Sequence, residues 1–351
     1  MKKIFILFIL LLSGCSDYKE LNNLAIVNTI GIDKKDNNYK LCIEVLNTDK
    51  ENGKNKIYYS TGKTINEAIN KVNNKSTKII YGGHLDKIIV SKDILNDKKI
   101  DLVDSFFRLT EVKDEFDFFV TKDNDACDIV KSLSKLPNNS SSRLQKNSKE
   151  NRSTSSYTNI DVFISNYLKT GIDPVISVLN IKDNEVYIDN IAITKNGKVI
   201  KYLDTKESIG YNLIRNEIDK ISIPISYEDK YSTIKINKST TKNKVIKKNN
   251  KYIIEININI EAYLTEYNFD LDLTKNNTIT KLEKISKKEI DKYITSAIKL
   301  DKVSNYLGFK RMIYERYPKE KDYIYSIKKN IKVNIKRKGE IKNYIKEKKW
   351  I

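Results

Sequence analysis

Residues 24–48 read LAIVNTIGIDKKDNNYKLCIEVLNT. Two β-rich runs, Leu24 to Asp33 and Tyr39 to Thr48, flank the polar Lys34 to Asn38, a pattern that specifies a β-hairpin. Beyond it, Ile57 to Ser60 reads as a further strand, and Thr64-Ile65-Asn66-Glu67 follows. This is the S/T-x-x-E arrangement whose hydroxyl and carboxylate satisfy the free amides at a helix start. Ile65, Ala68, Ile69 and Val72 then recur at helical spacing. Lys78 to Tyr81 and Leu85 to Val90 read as strands separated by a turn at Gly82-Gly83.

Further along, Ile100 to Leu109 reads as a helix, Phe116 to Thr121 as a strand, and Asp125 to Leu136 as a helix with Ala126, Ile129, Val130 and Leu133 on one face. Pro137 to Ser156 is dominated by Ser, Asn and Lys and reads as a mobile loop or linker. Ile160 to Leu168 resumes as a helix, followed by strands near Val175 to Ile181, Val186 to Thr194 and Lys198 to Leu203. The last two are joined by Asn196-Gly197, a hairpin turn. Lys206 to Ile218 reads as helical, and Ile221 to Tyr267 as strand-rich, culminating in Tyr252 to Tyr263. A long helical stretch from about Ile279 to Tyr317 is broken near Gly308, and Ile331 to Ile335 alternates as a strand with one buried face. The class is α+β, with mixed and antiparallel sheets packed with helices and no regular βαβ array. At 351 residues the chain exceeds what one core usually supports, so it reads as multi-domain, with two to three compact units.

The N-terminus reads MKKIFILFILLLSGC: Lys2 and Lys3 precede an apolar stretch, Ile4 to Leu12, that is far too short to cross a bilayer permanently. This is the layout of a cleaved secretory signal, residues 1–14. Leu12-Ser13-Gly14-Cys15 is similar to the lipobox of bacterial lipoproteins, where a cysteine is diacylated and the chain is cut just before it; an ordinary signal peptide with a chance cysteine is the alternative. Lipidation at Cys15 would anchor the protein to the outer face of a membrane without spanning it.

Formal net charge is +19, from 65 Lys+Arg against 46 Asp+Glu. The lysines are spread along strands and turns without forming a block, in a chain rich in Lys, Asn and Ile. That distribution favours compositional bias, with attraction to an anionic membrane surface as its physical consequence and no nucleic-acid partner. With Cys15 assigned to lipid, Cys42 and Cys127 remain; each lies in an apolar periodic segment, far from the other in sequence, and two buried free thiols are the expected state, although pairing outside the cytoplasm stays open.

Catalytic patterns are lacking. The one histidine, His84, sits in Tyr81-Gly82-Gly83-His84-Leu85 and reads as a turn residue with structural hydrogen bonds. Gly62-Lys63-Thr64 ends like a P-loop, but the first glycine would fall at Ile57. Asp114, Glu115 and Asp117 read as a solvated acidic surface. The 22 tyrosines suit half-buried sheet positions, as at Tyr58, Tyr59 and Tyr187, or a contact surface. No catalytic residue, metal ligand or cofactor site is assigned.

Cys15-Ser16-Asp17-Tyr18-Lys19-Glu20-Leu21-Asn22-Asn23, the strand that follows and Gly31-Ile32-Asp33 resemble the opening of the Ger(x)C family of spore germination lipoproteins. Gly83-His84-Leu85 is similar to that family's glycine-histidine turn, Ile191 to Leu203 to its strand-turn-strand segment, Asn305 to Phe309 with Tyr317-Pro318 to its C-terminal helix and proline segment, and Lys332 to Gly339 to its final strand. The sequence departs from the pattern at Ser16, which replaces a tryptophan, and at Asn305, which replaces an aspartate. The family's tryptophans after the proline are also missing, with Tyr323 and Tyr325 nearby.

The resemblance implies an N-terminal germination-protein region over 15–205, made of two subdomains with the flexible segment 137–156, and a C-terminal germination-protein domain over 206–351. It implies a non-enzymatic C subunit of a nutrient germinant receptor, held in the spore inner membrane by lipid on Cys15 beside two integral membrane subunits, of A and B type. A solute-binding lipoprotein delivering a small ligand to a transporter is the alternative.

Overall fold

A computed structural model describes residues 23–47, 55–97, 115–136, 143–144, 146–148, 154–156, 158–218, 220–249, 251–319 and 324–336. The described residues open with β1 (Leu24–Lys35) and β2 (Asn38–Val45), paired antiparallel from Lys35 opposite Asn38, as the hairpin pattern requires. Next come β3 (Lys56–Gly62), α1 (Ile65–Asn73), β4 (Ile79–Tyr81), β5 (Lys87–Val90), the short α2 (Lys92–Asn96), β6 (Asp117–Thr121), α3 (Ala126–Leu133) and α4 (Ile160–Leu168). β7 (Val175–Lys182), β8 (Glu185–Lys195) and β9 (Lys198–Tyr202) complete a nine-stranded sheet ordered β3-β2-β1-β5-β6-β7-β8-β9, with β4 paired to β1.

The centre of this sheet is parallel: β5 pairs with β1, β6 with β5 and β7 with β6. The strands either side of Gly82-Gly83 are therefore not partners, since β4 and β5 each lie parallel to β1. The physical signal is in the residues. Ile88-Ile89-Val90 and Phe118-Phe119-Val120 are continuous apolar runs, buried on both faces, which is the mark of a covered parallel sheet.

After β9 come α5 (Thr205–Arg215), β10 (Ile221–Tyr227), β11 (Lys230–Lys248), β12 (Lys251–Glu266), α6 (Asn276–Leu300), α7 (Phe309–Arg316) and β13 (Tyr325–Ile335). The last four strands form a second sheet, β10-β11-β12-β13. Tyr252, Ile254, Ile256, Ile258, Ile260 and Ala262 alternate inward along β12. They share one core with Leu282, Ile290, Tyr293, Ile294 and Ala297 of α6. The long helix ends at Leu300 and α7 begins after Gly308, whose backbone is left-handed at φ 74°.

Two expectations are overturned. Cys42 and Cys127 are not free thiols: they form a disulfide with Cα atoms 5.6 Å apart. Sequence distance misled, because β2 and the first turn of α3 meet across β1. The end of the supposed linker is also not a loose loop: Thr154, Ser155 and Ser156 are buried, the last two held by partners on α5 and β7. The expected helix at 100–109 lies outside the described residues, as do most of 137–153 and the signal with Cys15.

Candidate functional site

The Gly31-Ile32-Asp33 segment builds the disulfide. A side chain at Gly31 would place its Cβ 2.5 Å from Cys42 Sγ and 2.8 Å from Val130 Cγ2, so only glycine allows β1 to pass beneath α3. Two residues on, the buried Asp33 carboxylate accepts hydrogen bonds from the amides of Ala126 at 2.6 Å and Cys127 at 3.0 Å. Asp125, the residue preceding the helix, makes no side-chain cap bond. A strand residue thus supplies the anion that a helix N-terminus favours. Burial raises the Asp33 carboxyl above its ordinary range, opposed by those two amides.

The glycine-histidine turn leads into buried charge. His84 itself is exposed, in the turn closed by the Leu85 amide donating to Gly82 O at 2.9 Å, with its ring set edge-on to Tyr81 at 6.2 Å. The neighbouring Leu85 is buried, and Lys87, 1% exposed, pairs with Asp86 at 2.5 Å. Across β1, Glu44, 2% exposed, accepts from Asn28 Nδ2 at 3.0 Å and Asn55 Nδ2 at 2.8 Å. The periodicity of these strands gave no sign of either charge, because both occupy inward positions normally apolar.

The seam between the sheets gathers the C-terminal segment. Asp173 accepts at Oδ2 from the Asn305 amide at 2.9 Å and at Oδ1 from the Asn196 amide at 3.3 Å. Asn305 Nδ2 lies 3.4 Å from Asp173 Oδ2, a donor that an aspartate at 305 could not provide. Ser304 Oγ donates to Thr194 O at 2.7 Å. Below them, Asp301 takes the Leu307 amide at 3.2 Å and the Tyr325 hydroxyl; burial lifts its carboxyl to about 6 despite both bonds. On the other side of the seam, Ser177 Oγ donates to Ser156 O at 2.5 Å, and Asn212 Nδ2 to Ser155 O at 3.0 Å.

These hydrogen bonds join one part of the chain to another. Among the described residues no group of three or more His, Cys, Asp or Glu side chains could hold a metal ion, and no helix is long and apolar enough to cross a membrane. Glu115 and Asp117 flank Phe116 at the start of β6, Asp114 lies outside the described residues, and Tyr58 is buried whereas Tyr59 is 42% exposed. The seam is the candidate functional region, as the place where separate parts of the chain are tied by buried polar bonds.

Two family models cover nearly the whole chain: the spore germination protein N-terminal domain matches residues 17–181, and the spore germination B3/GerAC-like C-terminal domain matches residues 189–344. Spore germination protein KC of Bacillus subtilis (strain 168) is 24% identical over 392 residues, covering 98% of this chain and 96% of that protein. Spore germination protein GerQC of Bacillus cereus is also 24% identical, with 88% and 89% covered. The crystal structure of the GerBC protein shares the fold, with a TM-score of 0.54 at 18% identity over 87% of this chain and 96% of that one.

Proposed function

Since the chain belongs to the Ger(x)C family of spore germination proteins, we propose that it is the lipid-anchored, non-enzymatic C subunit of a germinant receptor complex. The observation that carries the reading is the end-to-end match: both family domains lie in order on one chain, and 96% of the B. subtilis relative is covered. Lipid on Cys15 would hold the protein on the outer face of the spore inner membrane, beside two integral membrane subunits. The Cys42–Cys127 disulfide supports export, because such bonds persist in oxidising compartments. The division into 15–205 and 206–351 is proposed with it, supported by the passage from β9 to α5 between Tyr202 and Thr205.

In such an assembly a few buried contacts contribute most of the affinity, and confinement to the membrane raises effective concentration. The test is to tag the C-terminus in a sporulating host, solubilise the spore inner membrane in mild detergent and identify co-purifying proteins. Two multi-span membrane proteins in comparable amounts are expected, and Cys15→Ala lowers their recovery. Recovery of transporter components instead would overturn the reading.

A further inference from the structure

A cavity of about 350 Å³ lies where β8, α5 and β10 meet, a volume suited to a small ligand. Part of its wall is a β-bulge. Ser177 pairs with Ile191 and Leu179 with Ile188, so Val178 alone stands opposite both Asp189 and Asn190. An extra residue in one strand re-aims its neighbours, and bulges of this kind recur beside binding sites. Asp189 and Asn190 both line the cavity, joined by the hydroxyl-bearing Thr154, Thr205 and Ser222. Ile188, Ile209 and Ile221 supply an apolar portion.

The charge there runs against the rest of the molecule. The chain carries 65 Lys+Arg against 46 Asp+Glu, yet none of the described residues lining the cavity is basic, and Asp189 is the one carboxylate among those described. Asp189 Oδ1 accepts from Asn190 Nδ2 at 3.2 Å, and among the described residues no basic side chain pairs with it. Its field reaches Tyr187, whose hydroxyl is pushed up first by burial and then by Asp189. A carboxylate in a partly enclosed site attracts a cation more strongly than one in open water. Hydroxyl and amide oxygens around it accept hydrogen bonds, which suits an ammonium group with three donors and no acceptor.

We propose that this cavity binds a small organic cation carrying a primary ammonium on a short aliphatic body, with Asp189 as the counter-charge and the isoleucines receiving the alkyl part. The inference stands apart from the receptor assignment: failure of the co-purification would leave it untouched, and its own failure would not affect the assembly. The test uses the full chain in mild detergent, titrated with n-butylammonium chloride while thermal unfolding and heat of binding are followed. Tetramethylammonium chloride at equal ionic strength and 1-butanol serve as controls, the first lacking N–H donors and the second lacking charge. A saturable rise in Tm with butylammonium alone is expected. Asp189→Asn should weaken binding by at least about tenfold. Ser222→Lys, which tethers a competing ammonium at an exposed lining position, should abolish it. Equal stabilisation by either control, no saturable response, or binding unaffected by both substitutions would overturn the proposal.

Discussion

In the nine-stranded sheet, the central partners are distant along the chain: Thr29 lies beside Lys87 and Phe119 beside Ser177. In the four-stranded sheet, β11 and β12 follow one another directly in sequence and pair from Lys248 with Lys251 outward to Thr233 with Glu266. Long-range parallel pairing pays loop-closure entropy before any contact rewards it, whereas a hairpin zips from its turn. The first sheet carries cross-links to match, in the Cys42–Cys127 disulfide and the Asp33 carboxylate reaching from β1 to α3. The second relies on a continuous apolar face against α6. The distant pieces of the first sheet are stapled; in the second, the local β11–β12 hairpin and the parallel β13, paired with β12 from Tyr252 with Tyr325 to Ala262 with Ile335, are held by packing on one apolar core.

The largest expected effect follows from that contrast. Replacing both Cys42 and Cys127 by Ala opens a loop closed across a separation of 85 residues, which chain-entropy reasoning values at about 4–5 kcal/mol. Chemical denaturation followed by hydrogen exchange should show the loss concentrated in β1, β2, β5 and α3, with β11 and β12 little changed. Uniform loss across both sheets would break the comparison. The converse is Ile256→Ala, which cuts into the fully buried face of β12. It should cost about 3–4 kcal/mol from transfer and cavity effects, with faster exchange in the second sheet first.

A third effect, of about 2–3 kcal/mol, is pH-dependent. Asp301 sits at the seam with its carboxyl raised from 3.8 to about 6, chiefly by burial. A raised carboxyl binds its proton more tightly when folded, so its stabilising contribution is complete below the unfolded value and lost as pH climbs through about 6. Burial moves Asp33 in the same direction. The wild-type protein should therefore lose stability between pH 4 and 6 in urea titrations, and Asp301→Asn should flatten that slope. An unchanged slope would show that the titration belongs to another group.

What the sequence made legible was what neighbouring residues decide between themselves. The hairpin of β1 and β2, the helix at Ile160–Leu168 and the alternation of β12 stand where periodicity puts them, with β2 ending at Val45. Asn196 and Gly197 both adopt positive φ, as their pairing in a tight turn demands. What escaped was decided across space. Nothing in the spacing of Cys42 and Cys127 says that β1 runs between their elements, and nothing in Thr-Ser-Ser at 154–156 says that Ser177 and Asn212 wait to bond it. Gly31 and Asp33 stand in a stretch that resembles a family signature; clearing space for a disulfide and capping a remote helix are roles that only the fold reveals. The bulge at Asp189-Asn190 reads in the sequence as uninterrupted strand, because an extra residue leaves composition unchanged and shows only in register.

The smallest effect tests the comparison at the scale of single helices. At α5 the capping box is complete: the Glu207 amide donates to Asp204 Oδ1 at 2.8 Å, and the Asp204 amide to Glu207 Oε2 at 2.9 Å. At α1 only half of the predicted box forms. The Glu67 amide donates to Thr64 Oγ1 at 3.1 Å, but the Glu67 carboxylate takes the amide of Lys63 instead. A charged cap also complements the helix dipole, which a hydroxyl does not. Asp204→Ala should therefore cost about 1 kcal/mol, and Thr64→Ala less. The check is amide exchange at Glu207 and Glu67 alongside Tm: a larger loss at Thr64 would mean that α1, inside the cross-linked sheet, depends on local capping more than its tertiary staples imply.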